Sequence, residues 1–142
     1  MIIIERDTAS EEETEAFAAA LARQVTAPLV LLLEGDLGAG KTTFTRGFVG
    51  ALARGGAAVV QSPTFALART YATIPPVHHL DLYRLERGVA RALEELGIAE
   101  LLDDNAAFAL VEWPRDLVVA GAARVTLTEK GEGARHIRVE LP

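Results

Sequence analysis

The chain contains no cysteine, which excludes disulfides, thiolate metal sites and a cysteine nucleophile. Lysine is almost as scarce: Lys41 and Lys130 are the only two, and the other basic residues are arginines. No apolar run approaches the ~20 residues that a membrane-spanning helix needs. The amino-terminal stretch MIIIERD turns charged after three isoleucines, too soon for the apolar core of a secretory signal. Positive charge is in deficit, with 14 Lys and Arg against 20 Asp and Glu and a net charge of -6. Phosphate neutralisation by Lys and Arg supplies most non-specific nucleic-acid affinity, so such a chain is a poor stand-alone binder of DNA or RNA. These absences set the expectation of a soluble cytoplasmic protein with no membrane association.

What is present suffices for a core. The 142 residues are half hydrophobic and 24% charged, which fits one ordinary domain spanning 1–142. Ile2–Glu5 reads as a short strand, and Ser10-Glu11-Glu12-Glu13 has the pattern of a capping box. That box opens a helix with Phe17, Leu21 and Val25 on one face. Leu29–Leu33 is a continuous apolar run, as expected of a buried parallel strand. A helix is expected from Lys41 to about Ala53, broken by Gly55-Gly56, and then a strand over Ala57–Gln61. Leu67, Arg69 and Tyr71 alternate as in a half-wet strand. Val77–Leu82 and Ala107–Val111 are further strand candidates, the latter central. Ala90–Leu96 and Ile98–Leu102 read as short helices parted by Gly97. Pro114 suits the first turn of a helix reaching about Val119. Val125 and Leu127, a turn at Gly131-Glu132-Gly133, then Ile137, Val139 and Leu141 form a hairpin. The fold class is therefore α/β: a three-layer domain with a mixed, mostly parallel central sheet flanked by helices and a C-terminal antiparallel hairpin.

Gly35-Asp36-Leu37-Gly38-Ala39-Gly40-Lys41-Thr42 matches the Walker A pattern at every fixed position. Glycines let the backbone wrap a phosphate, successive amides form an anion nest, and the next helix presents its positive end. Lys41 then reaches the β and γ phosphates, and the Thr42 hydroxyl ligates magnesium, so ATP with Mg2+ is the expected cofactor pair. Such a loop needs an acid at the end of a neighbouring strand. Asp81 and Glu112 are both candidates, and Glu112 closes the apolar run Phe108-Ala109-Leu110-Val111. Ser62-Pro63-Thr64-Phe65 admits two readings: Thr64 senses the γ-phosphate like a switch residue, or it caps a loop fixed by Pro63. His79 and Asp81 share a strand face, while His78 points away. A packed histidine orienting a carboxylate explains them better than a zinc site; Trp113 either packs under the site or contacts a partner, with core packing the default for a lone Trp. Neither the Asn-Lys-x-Asp guanine reader nor the Asp-x-x-Gly switch of a GTPase occurs. In a small-molecule kinase, the alternative function, Arg84, Arg87 and Arg91 would form a lid; the plainer reading is a solvated helix face.

Five segments in order, GDLGAGKTTFTRG at 35–47, SPTFAL at 62–67, HHLDLYRL at 78–85, LGIAELLDD at 96–104 and VEWP at 111–114, resemble the TsaE (YjeE) family. This is the small ATPase of bacterial tRNA threonylcarbamoyladenosine biosynthesis. The resemblance spans nearly the whole chain, and the DLYRL and EWP segments are far more specific than Walker A. It implies a P-loop NTPase-like domain with a mixed central sheet, and slow ATP hydrolysis by the chain alone. It also implies two protein partners, TsaB and TsaD, which install threonylcarbamoyl on adenosine 37 of ANN-decoding tRNAs, with ATP turnover resetting that machine. Contact with tRNA would be indirect, through the complex. By position, Thr42 and Glu112 correspond to the magnesium ligands. Lys41 and the amides of Leu37, Gly38, Ala39, Gly40, Thr42 and Thr43 correspond to the phosphate holders. Asp81 is a further acid on the γ-phosphate side, and Thr64 lies in the switch-like loop. Residues about Ser10–Thr14, including Thr14, and about Gly133–Arg135, including Gly133, fall where the family contacts the adenosine part.

Overall fold

The computed structural model describes residues 1–53 and 67–142. The expected strand at Ala57–Gln61, the Gly55-Gly56 break and the loop holding Thr64 lie outside the described residues. The described chain runs β1 (Ile2–Thr8), α1 (Glu11–Gln24), β2 (Leu29–Glu34), α2 (Lys41–Leu52), β3 (Ala68–Tyr71), β4 (Val77–Asp81) and α3 (Val89–Glu95). A 3-10 turn (Ala99–Asp103), β5 (Phe108–Glu112), β6 (Ala123–Glu129) and β7 (Arg135–Leu141) complete it.

The described strands form one sheet in the order β1-β7-β6-β2-β5-β4-β3. Contacts β6-β2, β2-β5 and β5-β4 are parallel, whereas β1-β7, β7-β6 and β4-β3 are antiparallel. All strands but β7 and β3 therefore point the same way, the mixed and mostly parallel sheet expected. The reason lies in the apolar runs. Along β2, Leu31 and Leu33 join one core cluster while Val30 and Leu32 join the other; along β5, Phe108 and Leu110 part from Ala109 and Val111 in the same way. A strand apolar on both faces must be covered on both, which produces three layers.

Helices α1 and α2 cover one face. An aromatic row links Phe17 to Phe44 (6.5 Å between centroids), Phe44 to Phe48 (6.4 Å) and Phe48 edge-on to Phe108 (5.1 Å). Each such buried ring contributes about 1.5–3 kcal/mol by burial. On the other face α3 supplies Val89 and Leu93. Ser10 caps α1 as expected, its Oγ accepting from the Glu13 amide at 3.2 Å. The return bond differs from the ideal box: Glu13 accepts from the Ala9 amide, one residue before the cap.

The expected helix after Pro114 does not form. Arg115 takes a φ of 54° and Trp113 one of 56°, and a left-handed residue in the first turn interrupts helical bonding. Asp116 instead accepts from the amides of Gly88 (2.6 Å) and Val89 (3.1 Å). It thereby caps α3, whose own cap residue is a glycine with no side chain to offer. These amide bonds hold the Asp116 carboxyl below its usual range.

The α1–α2 contact depends on Gly47, where an added Cβ would stand 2.2 Å from the Glu15 backbone oxygen. Neither backbone can yield without moving a helix. Gly47→Ala, although it favours the helix intrinsically, is expected to destabilise the protein by about 1–3 kcal/mol, read as a lowered thermal melting midpoint. A melting point at or above the parent value would show that the helices are free to separate.

Candidate functional site

The carboxyl ends of β2, β5 and β4 lie side by side, because Leu33 pairs with Glu112 and Glu112 with Asp81 in parallel register. Ligands of open α/β sheets bind beyond such ends. The loop Gly35–Gly40 leaves β2 there and runs straight into α2. Gly35 has φ 156° and presses on β6, where a Cβ would meet the Leu127 carbonyl at 2.6 Å. Gly40 caps α2 in the left-handed conformation at φ 103° with no side-chain bond to the first-turn amides. Those amides carry the helix's partial positive charge, and in this setting they suit an anion.

Lys41 is buried at the start of α2. Its ammonium donates to the carbonyls of Gly35 (2.5 Å) and Asp36 (2.9 Å) and lies 3.9 Å from the centre of the Trp113 ring. Burial lowers its pKa, opposed by the negative charges of Glu112, Asp81 and Asp36. The Thr42 hydroxyl donates to the Glu112 carboxylate at 3.2 and 3.3 Å from its two oxygens. Glu112 is 3% exposed and accepts at Oε2 from His79 Nε2 at 2.5 Å. Asp81 stands beside it, accepting from the Tyr83 amide at 3.1 Å. Burial raises the Asp81 pKa, the Tyr83 amide lowers it, and the adjacent Glu112 raises it further.

These groups line a cleft of about 300 Å³, with Leu37, Gly38, Gly40 and Thr43 on the loop side and Tyr83 and Trp113 opposite. The expected set Gly35–Thr43, Asp81 and Glu112 is thus assembled in one place. Thr14 and Gly133 sit to one side. Thr14 is buried, its hydroxyl 2.7 Å from that of Thr8, and Glu11 rather than Thr14 faces the cleft. A Cβ on Gly133 would stand 3.8 Å from Ala9 O and Ser10 Cα, so the hairpin turn and the start of α1 do meet beside the loop. Thr64 lies outside the described residues.

The histidines divide as the strand alternation requires. His78 reaches Thr70 and Asp104, both at 2.8 Å, on the far face. His79 orients a carboxylate, but that of Glu112 on the next strand rather than Asp81. No group of three or more His, Cys, Asp and Glu fit to hold a metal occurs among the described residues. Arg84 and Arg87 are exposed, Arg91 pairs with Glu95 in solvent, and none of the three lines the cleft. The three are solvated as expected, but only Arg91 lies on a helix; Arg84 and Arg87 precede α3.

Two features of the site go beyond any local pattern. Trp113 is half-buried against the Lys41 ammonium, so it packs at the site rather than in the core. Arg135, 94 residues after Lys41, ties the hairpin to the loop: Nε donates to Ala39 O (2.8 Å) and Nη2 to Gly38 O (2.7 Å), while Nη1 holds Ala134 O (2.8 Å). No local pattern signals such a contact.

The family model for "Threonylcarbamoyl adenosine biosynthesis protein TsaE" matches residues 8–137. The chain belongs to the TsaE family. Among curated relatives, the TsaE of Bacillus subtilis is 43% identical over 107 residues, 75% of this chain and 63% of that protein. The TsaE of Nostoc is 35% identical over 134 residues, 92% of this chain and 82% of that one. The chain thus spans a little under two thirds of the B. subtilis relative. A crystal structure of B. subtilis YdiB superposes with a TM-score of 0.77 at 30% identity, over 99% of this chain and 86% of that one. None of the described helices is long and apolar enough to cross a membrane.

Arg135→Ala removes two charged donors from loop carbonyls. The variant is expected to weaken anion binding at the loop about tenfold, on the scale of ~1.5 kcal/mol for a charge-assisted bond. Calorimetric titration with ADP measures this; unchanged affinity would show that the loop holds its shape unaided.

Proposed function

We propose that this TsaE-family chain binds ATP with magnesium at the Gly35–Thr42 loop and hydrolyses it slowly. In this reading the turnover supports threonylcarbamoyl modification of adenosine 37 in ANN-decoding tRNAs, in the cytoplasm, together with TsaB and TsaD. The observation that carries the proposal is the buried Glu112 carboxylate facing both the Thr42 hydroxyl and the loop. Adjacent ligands of an octahedral magnesium ion lie about 3.0 Å apart, given bonds of about 2.1 Å. The Thr42–Glu112 separation of 3.2–3.3 Å fits that requirement, and both donors are oxygens, as magnesium prefers. Thr42 and Glu112 would hold the ion, which supplies neutralisation of phosphate charge.

The rest is done by the chain's own groups. The amides of Leu37–Thr43 bind phosphate oxygens, and Lys41 places its charge beside them. Asp81, next to Glu112 and with its carboxylate accepting from the Tyr83 amide, is the better placed acid to orient the attacking water. Among the described residues, no arginine lines the cleft except Arg135, which is engaged with loop carbonyls. Weak intrinsic turnover follows, and stimulation by partners fits it. With net charge -6, contact with tRNA would come through the complex.

Lys41→Ala is expected to abolish ATP binding and turnover. Glu112→Ala is expected to keep the fold by circular dichroism and lower magnesium-dependent hydrolysis at least about tenfold; full activity in it would refute the metal assignment. The deciding measurement is steady-state ATP hydrolysis with and without the TsaB–TsaD pair. Stimulation by the pair supports the tRNA-modification role, whereas indifference to it combined with faster turnover on a small acceptor would replace it with a kinase.

A further inference from the structure

His79 is fully buried, and its ring lies 6.3 Å from that of Tyr71 at an interplanar angle of 28°. Its Nε2 meets Glu112 Oε2 at 2.5 Å, while Nδ1 is buried with no hydrogen-bond partner among the described residues. A carboxylate can only accept, so Nε2 carries the hydrogen of that bond, and Nδ1 is left unpaired. For packing alone this is a poor choice, because a buried imidazole with an unpaired nitrogen costs free energy that a phenyl ring of similar size does not. The hydrogen bond to Glu112 is what compensates.

Glu112 has two donors, and they differ in kind. The Thr42 hydroxyl belongs to the loop and, on the reading above, serves the magnesium ion. His79 comes from β4, beneath the cleft, and its bond does not depend on what the loop holds. The geometry points to His79 as the positioning residue that fixes the Glu112 carboxylate. It holds Oε2 from below, so that the carboxylate lies with Oε1 3.2 Å and Oε2 3.3 Å from the Thr42 hydroxyl. The role is that of an outer partner that orients a metal-binding carboxylate. This inference rests on the proposed magnesium-nucleotide site.

Three variants test it. His79→Phe keeps the ring and removes the donor. His79→Gln places an amide nitrogen near the position of Nε2. His79→Asn stops short, near Nδ1. The measurement is calorimetric binding of ADP, first in EDTA and then across a magnesium chloride titration. Affinity in EDTA should stay close to the parent value in all three. The magnesium concentration giving half the full effect should rise about tenfold or more in His79→Phe and His79→Asn, the usual scale for losing an outer partner, and recover largely in His79→Gln. If His79→Phe does not fold, the Gln and Asn pair decides. Parent-like magnesium dependence in Phe or Asn, or a shift in Gln equal to that in Asn, overturns the positioning role and leaves the site reading intact. If the parent chain ignores magnesium, the site reading falls and the positioning role falls with it.

Discussion

Glu112 brings a carboxylate to a place where almost none of the residue remains in contact with water, and a buried charge survives only with donors around it. The arrangement of the cleft follows from that requirement. The carboxylate ends a strand whose other four residues are apolar and buried, so it can neither swing into solvent nor retreat into the core. Its donors must arrive from outside the strand. Thr42 supplies one because the loop turns directly from β2 into α2. His79 supplies another because β4 lies next to β5 with Asp81 level with Glu112. Lys41 adds opposite charge from the same helix start.

The loop itself is held from the far side. Gly35 presses on the carbonyl of Leu127 in β6, and Arg135 at the head of β7 grips the carbonyls of Gly38 and Ala39. The C-terminal hairpin is thus a wall of the site as well as an addition to the sheet. It also carries Gly133 toward the start of α1, which places the hairpin turn and that helix start beside the loop. A domain of this size has few elements to spare, and here the edge of the sheet and the shaping of the cleft use the same strands.

The turn after Glu112 shows a local departure from regular structure. Trp113 and Arg115 both adopt positive φ without being glycine, a costly conformation that surrounding contacts must impose. The contacts are visible. The Trp113 ring lies against the Lys41 ammonium and 5.1 Å from the Tyr83 ring. Arg115 donates to the Leu85 and Tyr83 carbonyls, and Asp116 caps α3. A proline that favours a helix start in isolation is overruled by three neighbours that each bind elsewhere.

The sequence alone determined the parts whose cause is local. Apolar runs at β2 and β5 required burial on both faces and hence three layers. The spacing of Gly35–Thr42 required a phosphate-shaped loop, and alternation in β4 separated His78 from His79. Ser10 specified a helix start, and Gly131–Gly133 a turn between strands. Tertiary structure decided whatever depends on which strand lies beside which. It placed β5 between β2 and β4, and so gave Glu112, rather than Asp81, the Thr42 hydroxyl and the His79 imidazole. It brought Arg135 onto the carbonyls of Ala39 and Gly38, 96 and 97 positions away, and set Trp113 at the cleft rather than in the core. Periodicity records which face of an element is buried, but it carries no information about the neighbour that covers it, and the chemistry of this site lies in those neighbours.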